Sequence, residues 1–257
     1  MHHAHIDRYA HGDSPVHRLD ARAKLLAVLA YSAVLISFDR HALAVMAPMA
    51  AAPLAMLWCS HVPAGFALRR VLVLSPFILM LCLASPVYDR APVAVALGPW
   101  RGELAAGWLT AGNIALKFAL GMLALTAVMA TTPFSALLEA MRRLGSPKAL
   151  VMQLSLLYRY LFVLVGEALR IRRGRDFRGS ARAPVGRRLA AVGGAVGVLF
   201  MRTLERSERV QTAMAARGWR GESRSLRALR WRPADTLLLA AVAAYLAFCR
   251  GVYPWLV

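Results

Sequence analysis

The sequence predicts an all-α, polytopic membrane protein with about five transmembrane helices and a cytoplasmic block of long helices. Two observations lead to this fold class. Of the 257 residues 59% are hydrophobic, giving a mean hydropathy of +0.51, yet the formal net charge is +19. A soluble domain of this length does not combine such hydropathy with such charge. Apolar spans in lipid joined by basic cytoplasmic segments combine them readily.

The apolar runs define the predicted spans. A helix that crosses the core of a bilayer needs about 20 apolar residues. Runs of about this length, the first and last somewhat short, cover 23–38, 42–60, 71–88, 107–130 and 235–251. Residues 89–106, between the third and fourth runs, are rich in proline and glycine and include a short strand-like stretch, Val93–Leu97. This connection is interpreted as an external loop.

The distribution of positive charge predicts the orientation. Basic residues concentrate in the N-terminal tail, at Arg69 and Arg70 in the loop predicted after the second span, and in the block 131–234. That block holds 21 Lys and Arg against 6 Asp and Glu. Five spans place all three segments on one side, which the positive-inside rule makes the cytoplasmic side. The C-terminus is then external, and the protein is predicted to lie in the plasma membrane (the cell inner membrane) as a multi-pass protein.

Three segments follow from this topology. Residues 1–130 form the tail and four transmembrane helices, residues 131–234 form the cytoplasmic block, and residues 235–257 form the last transmembrane helix. Thr132-Pro133 predicts the first helix of the block, since a capping hydroxyl precedes a proline at the first helical position. Gly145-Ser146-Pro147 ends that helix.

Two longer helices fill the rest of the block. The second helix runs from Ser146-Pro147 to Arg175, and the third begins at Pro184 and ends near Arg217-Gly218. Residues 149–169 are apolar enough to span a membrane except for a few polar residues, among them Arg159. Because a central arginine in lipid costs about 2.5 kcal/mol or more, the second helix is placed along the membrane interface or partly dipping into it.

Two arginines at predicted helix ends are the candidate docking site. They lie in Phe177-Arg178-Gly179 and in Ala216-Arg217-Gly218. Arginine presents a planar, permanently charged fork to carboxylates and carbonyls, and a cation is favoured at a helix C-terminus. The following glycine can adopt the left-handed conformation that ends a helix. One such pair is most often a solvated helix end, whereas two in one basic block indicate a partner protein with acidic grooves.

Three glycines of the third helix, a lysine within a predicted span and the N-terminal histidines are interpreted mainly as structural or solvent-exposed residues. Gly193, Gly194 and Gly197 would let two helices approach closely, either as ordinary packing or as the crossing of the third helix over the second. Lys117, inside a predicted span, is interpreted as a side chain that packs inward or snorkels to an interface, the alternative being an intramembrane polar contact. The histidines of the N-terminal tail lack carboxylate or cysteine partners, so no metal site is predicted.

Catalytic sequence motifs are missing from the chain. It contains no Walker A, GxSxG or HExxH sequence, so it is not expected to be an enzyme or to hydrolyse ATP itself. Nearly all of its predicted spans lack polar groups that could hold a solute. Basic charge can also indicate nucleic acid, but the apolar runs on both sides of the basic block favour a membrane setting without nucleic acid.

Several short motifs resemble one family of transport proteins. They are Ile6-Asp7-Arg8-Tyr9-Ala10, the stretch from Ser14 to Leu25, Thr131-Thr132-Pro133-Phe134, Tyr158-Arg159-Tyr160 and Glu205-Arg206-Ser207-Glu208-Arg209. Because these motifs occur in this order and at this spacing, the chain resembles the transmembrane T component of energy-coupling factor (ECF) transporters, most closely CbiQ of the cobalt group. Ala216-Arg217-Gly218 has the family's usual Ala-Arg-Gly form, whereas Phe177-Arg178-Gly179 departs from it at the first position.

The resemblance implies a function. The chain would be a non-catalytic coupling subunit of a cobalt importer, in which two ABC-type ATPases resembling CbiO bind the arginine ends of the coupling helices. ATP and Mg would be held by the ATPases, and this chain would bind no cofactor. Motion would pass to a substrate-binding membrane subunit resembling CbiM, with CbiN, in contact with membrane lipid.

Other readings stay open at this point. A T component for nickel or for a vitamin is the nearest alternative. A basic membrane anchor and an intramembrane lipid-modifying enzyme are alternatives of other classes. An anchor would bind through diffuse charge and without privileged arginines, and an enzyme would need acids or a nucleophile at the membrane face.

Overall fold

The computed structural model describes two compact units. Its described residues are Ala10, 12–39, 46–88, 92–97, 100–177, 184–219, Gly221 and 231–252. The apolar unit comprises the described residues of Ala4–Ala140 and Ala228–Val257, and the basic unit comprises those of Met141–Arg227. The basic unit is narrower than the predicted block 131–234, because α5 up to Ala140 and the described residues from Trp231 onward belong to the apolar unit. The assignment of roles to the three predicted segments stays a prediction.

Helices make up most of both units. The elements of the apolar unit are α1 (Ala21–Ile36), a 3₁₀ turn (Ala47–Ala50) that leads into α2 (Ala51–Cys59), α3 (Ala64–Tyr88), strands β1 (Pro92–Leu97) and β2 (Trp100–Ala105), α4 (Ala106–Thr131), α5 (Phe134–Arg143), and α8 (Pro233–Ala247) with a π turn (Phe248–Val252). The last turn of α5 passes into the basic unit, which contains α6 (Lys148–Phe177) and α7 (Val185–Ala216).

Helices α1 and α4 of the apolar unit run antiparallel. Near the start of α1, Lys24 Nζ lies 2.9 Å from the carbonyl oxygen of Thr131 at the end of α4. Nearer the start of α4, Lys117 Nζ lies 2.6 Å from the carbonyl oxygen of Phe38, just beyond α1. Helix α8 runs alongside α1 in the same direction, since Phe38 shares a buried cluster with Leu246 near the end of α8.

Helices α2 and α3 continue the alternation. Leu57 of α2 packs in a cluster with Ala127, and Met46, before α2, lies near the opposite end of α4, so that α2 runs parallel to α4. In α3, Ala67 belongs to that same cluster, whereas Cys82 Sγ lies 3.3 Å from the carbonyl oxygen of Ala111. Helix α3 is therefore antiparallel to α4. Five apolar helices alternate in direction, as the sequence predicts.

Four helices are long and apolar enough to cross a membrane. They are Ala64–Pro86, Ala106–Thr131, Lys148–Phe177 and Pro233–Gly251, judged by length and composition among the described residues. Helix α1 has 16 residues and the apolar stretch Ala47–Cys59 is shorter still. The predicted class of all-α polytopic membrane protein is confirmed. Helix α6 meets the criterion for a span, and its predicted position along the interface stays a prediction.

One local prediction differs from the structure. Arg69 and Arg70 lie inside α3 and not in a loop, because the helix begins seven residues before the predicted span, at Ala64. The Arg70 guanidinium packs 4.7 Å from the centre of the Phe66 ring, one turn earlier on the same face.

The strand-like stretch Val93–Leu97 is confirmed. It belongs to β1, which forms an antiparallel hairpin with β2 in which Val93 is paired to Leu104 and Leu97 to Trp100. The external position of this connection stays a prediction.

The two helices of the basic unit match their predicted bounds closely. Helix α6 has 30 residues and ends two residues after Arg175, and α7 has 32 residues with Pro184 as its N-cap. Helix α5 ends as predicted at Gly145, whose φ of +95° reverses the chain. Glycine is suited to this position because it lacks the Cβ that makes the left-handed region costly.

Candidate docking site

Arg217 lies at the C-cap of α7, in a well-formed helix end. The N–H of Trp219 donates to the carbonyl oxygen of Met214 at 3.0 Å, and the N–H of Gly218 donates to that of Ala215 at 2.9 Å. These two bonds define a Schellman motif, which requires the left-handed conformation that Gly218 adopts with φ of +75°. The predicted reason for the glycine is therefore confirmed.

The exposed Arg217 side chain is thus carried by a fixed backbone. Residues Ala216 to Gly218 are all exposed. The carbonyl groups at the end of α7 give this position a partial negative charge, which favours a cation there. A guanidinium so placed can donate bidentate hydrogen bonds to a carboxylate of a partner.

The first arginine motif is only partly described. Phe177 is the last residue of α6, and 91% of its surface is exposed. Arg178 and Gly179 lie outside the described residues. An exposed phenylalanine at a helix end is a candidate for contact with another protein, and the docking role of Phe177, Arg178 and Gly179 stays a prediction.

Helices α6 and α7 meet in opposite directions. Glu167 of α6 forms an ion pair with Arg202 of α7. A groove of about 560 Å³ is lined by α6 residues that precede Glu167, such as Leu157 and Tyr160, and by α7 residues that follow Arg202, such as Val210. In a parallel pair these α6 residues would face the part of α7 before Arg202. The C-terminal ends of the two helices therefore point away from each other.

The three glycines of α7 do not line this groove. Gly193, Gly194 and Gly197 are exposed, and a Cβ added at any of them would meet no atom within 4 Å. The face that they form is open to another molecule. Their predicted role in helix crossing stays a prediction.

A buried polar cluster in the apolar unit was not recognised from the sequence. Asp235, of which only 1% is exposed, accepts a hydrogen bond from the backbone N–H of Asp20 at 2.7 Å. Its second carboxylate oxygen accepts one from the backbone N–H of Arg232 at 2.7 Å, at the N-cap of α8. One carboxylate thus joins the beginnings of α1 and α8.

Asp20 and Arg22 extend this cluster. The Asp20 carboxylate accepts from the backbone N–H of Arg22 at 2.8 Å and caps α1. It also accepts from Nε and one terminal nitrogen of Arg22 at 3.1 and 3.0 Å. This hydrogen bonding raises the pKa of Arg22 above its ordinary value. The same guanidinium lies 5.2 Å from the centre of the Trp231 ring, just before α8.

Lys24 completes the cluster on the side of α4 and α5. Only 1% of Lys24 is exposed, and its Nζ donates to the carbonyl oxygen of Thr131 and, at 3.2 Å, to the hydroxyl of Thr132. Asp20, Arg22, Lys24 and Asp235 together form the junction cluster. The available sequence signals were an aspartate before an apolar run and the Arg232-Pro233-Ala234-Asp235 helix start.

Lys117 packs inward, as interpreted from the sequence. Its Nζ contacts the carbonyl oxygens of Ile36 and Phe38, at the end of α1. Among the residues that the structure describes, no group of three His, Cys, Asp or Glu side chains is placed to hold a metal ion. Most of the N-terminal histidines lie outside the described residues.

The alternating apolar helices and the basic unit with its two long helices define a multi-pass membrane protein. The sequence matches the CbiQ family, described as "Cobalt transport protein", over residues 12–227, and the chain belongs to that family.

Curated relatives agree with this assignment. The energy-coupling factor transporter transmembrane protein EcfT of Listeria innocua is 29% identical over 264 residues, which cover 98% of this chain and 97% of that relative. The cobalt transport protein CbiQ of Salmonella typhimurium is 30% identical over 169 residues, 64% of this chain and 72% of the relative. CbiQ of Rhodobacter capsulatus is 35% identical over 122 residues, 46% of this chain and 48% of the relative. The chain is a transmembrane component of an ECF transporter related to CbiQ, which confirms the recognition from its motifs.

Proposed function

We propose that this chain is the coupling subunit of an ECF-type importer for cobalt ions, and that cytoplasmic ABC-type ATPases resembling CbiO dock on its two arginine ends. The observation that carries the proposal is the end of α7. Arg217 is exposed on a backbone held by the two hydrogen bonds of a Schellman motif, so a partner meets a charged side chain carried by a fixed backbone. Little backbone freedom is then lost at this position on binding.

The two long helices suit the transmission of motion. Their lengths of 30 and 32 residues correspond to about 45 and 48 Å. ATP and Mg bind in the ATPases, whose closure moves the arginine ends and changes the angle between α6 and α7. This chain itself does no catalysis. With the basic unit in the cytoplasm, that change reaches a separate substrate-binding membrane subunit resembling CbiM, accompanied by CbiN.

Apolar surface on α7 supports a partner on this unit. None of the residues from Val185 to Ala216 is buried, although Leu189, Val196 and Phe200 are large and apolar. A monomeric soluble protein rarely leaves such surface exposed, and it marks contact with protein or lipid. The membrane subunit and lipid are the occupants that the proposal assigns to this surface.

Cobalt is proposed as the cargo because the matching family and two curated relatives carry cobalt transport in their names. The ion site itself is assigned to the substrate-binding subunit. Uptake of cobalt and nickel by the assembled complex, each measured in competition with the other, distinguishes the proposed cargo from the nickel alternative. A complex that moves neither ion but moves a vitamin would overturn the choice of cargo while leaving the coupling role in place.

The docking proposal is tested by co-purification from membranes. Tagged wild type should bring down an ABC-type ATPase and a membrane subunit, identified by mass spectrometry. Arg178→Glu/Arg217→Glu should lose the ATPase and keep the membrane subunit. Arg187→Glu, an exposed charge reversal at the other end of α7, is the matched control and should keep both.

Two results would contradict the proposal. If wild type brings down no ATPase, the coupling role fails. If Arg187→Glu weakens the ATPase as much as the double variant does, binding depends on diffuse charge, as expected of a basic anchor.

A further inference from the structure

The chain leaves the apolar unit and returns to it beside the same short segment, Asp20–Lys24. It leaves after α4 and α5, where Lys24 binds the carbonyl oxygen of Thr131 and the hydroxyl of Thr132. It returns before α8, where Arg22 lies over Trp231 and the N–H of Asp20 binds Asp235. Both covalent connections to the basic unit are therefore held by the first turn of α1.

Packing and charge reinforce these hydrogen bonds. Ala21 of α1 forms a small buried cluster with Ala136 and Ala140 of α5, and Ala140 is the last residue of the apolar unit before the connection. Glu139, which is also buried, acts electrostatically on Arg22. Buried charged groups of this kind keep their partners, because separating them leaves an uncompensated charge away from water. A shift of α5 or of Trp231 would therefore disturb the start of α1.

We infer that the junction cluster passes displacement of the basic unit to the membrane helices α1 and α8. Its members are positioning residues: Asp20 and Asp235 lock the beginnings of α1 and α8 together, and Lys24 locks α1 to the end of α4. This inference rests on the proposed coupling function. Without the cluster, the basic unit would still bind and follow the ATPases, but its motion would not reach α1 and α8.

The test uses the assembled transporter in proteoliposomes, with cobalt uptake and ATP hydrolysis measured on the same preparation. Lys24→Met removes a buried donor at nearly unchanged volume, and Asp235→Asn removes one of the two acceptors at the start of α8. Each should keep the ATPase bound and hydrolysing, while uptake per ATP falls by about fivefold or more, the lower end of typical coupling between distant sites. Lys24→Arg, which keeps the charge, should recover part of the loss.

Arg18→Met is the matched control, because it removes an exposed cation six residues before Lys24. It should leave uptake per ATP unchanged. If both junction variants also leave this ratio unchanged, the cluster serves only the fold, and the inference fails while the proposed function stands. A wild-type complex without an ATPase would instead overturn the proposed function.

A second measurement needs no variant and therefore does not depend on a variant's folding. Hydrogen exchange of the wild-type complex is followed with and without a non-hydrolysable ATP analogue. The N–H groups of Asp20 and Arg232 both donate to Asp235 and report directly on the cluster. Their exchange rates should change when nucleotide binds. The inference would be overturned if the exchange rates of these two N–H groups stay unchanged while those of α6 and α7 change.

Discussion

Lys117 Nζ lies 2.6 Å from the carbonyl oxygen of Phe38, so a lysine of α4 closes the C-terminal end of α1. Helix α1 has only 16 residues, about 24 Å, and its last carbonyl groups have no partner within the helix. The side-chain amide of Asn113 donates to the next free carbonyl, that of Asp39, at 3.1 Å. Two polar residues of α4 thus bind carbonyl groups at and just beyond the C-terminal end of α1. This short helix can therefore end within the apolar unit.

Replacing Lys117 by methionine should destabilise the folded chain. The change leaves the carbonyl oxygens of Ile36 and Phe38 without this donor. Phe38 is buried, and a buried group that loses its partner costs about 1–3 kcal/mol. The melting temperature of the detergent-purified protein should fall by several degrees. Lys148→Met, at an exposed position that begins α6, is the control. Equal melting temperatures for the two variants would contradict the role assigned to Lys117.

Replacing Gly218 by alanine should weaken ATPase binding without unfolding the chain. Gly218 has φ of +75°, and a residue with a Cβ pays about 1–2 kcal/mol in the left-handed region. If this conformational cost is added to the free energy of ATPase binding, the affinity for the ATPase falls by about fivefold to thirtyfold. Titration of the reconstituted chain with purified ATPase measures the effect.

Gly174→Ala is the matched control for this prediction. Gly174 is exposed in the interior of α6, and an added Cβ would meet no atom within 4 Å. Alanine favours a helix over glycine by about 1 kcal/mol, so the control should be neutral or stabilising. If Gly174→Ala lowers the affinity as Gly218→Ala does, the conformation at the end of α7 is not the cause.

The ion pair between Glu167 and Arg202 should stabilise the contact of α6 with α7 by a modest amount. A double-mutant cycle with Glu167→Gln and Arg202→Gln should give a coupling energy of about 0.2–1 kcal/mol, since both side chains reach solvent. The pair Glu205–Arg209, within α7, is the matched comparison. Its cycle should give about 0.3–0.5 kcal/mol, and salt should weaken both couplings. A coupling energy near zero for Glu167–Arg202 would show that this ion pair does not help to hold α6 against α7.

Replacing Gly197 by leucine tests the open face of α7. Because an added Cβ meets no atom within 4 Å and leucine favours a helix over glycine, the melting temperature of the chain alone should stay the same or rise. Transport per ATP in the assembled complex should fall, since close approach of a second helix needs a small residue. Gly186→Leu, on the same face about three turns earlier, is the control. If transport per ATP is unchanged in the Gly197 variant, these glycines have no role in the crossing of α7 with a second helix.

Sequence patterns predicted the basic unit well because its helices have strong local signals. Pro184 and Gly218 bound α7, and Gly145 ends α5, each through a conformational preference of its own residue. The five apolar runs likewise predicted five helices of alternating direction. The start of α3 was predicted too late because Arg69 and Arg70 were read as loop residues, although arginine is a good helix former.

The junction cluster was beyond local patterns. The bond between Asp20 and Asp235 joins residues 215 positions apart, and that between Lys24 and Thr131 joins residues 107 apart. Each side chain has an ordinary local reading as a helix cap or a tail charge. Only the packing of α1 against α4 and α8 brings them together, and no periodicity in the sequence reports which helices become neighbours.

The opposite directions of α6 and α7 have a consequence for symmetry. Two helices that cross in opposite directions are related by an approximate two-fold rotation about the axis that bisects them. Dimers of identical subunits are commonly related by a true two-fold axis, which presents two identical surfaces. In the proposed complex, a single chain can thus offer two similarly oriented helix ends to the two halves of a symmetric partner.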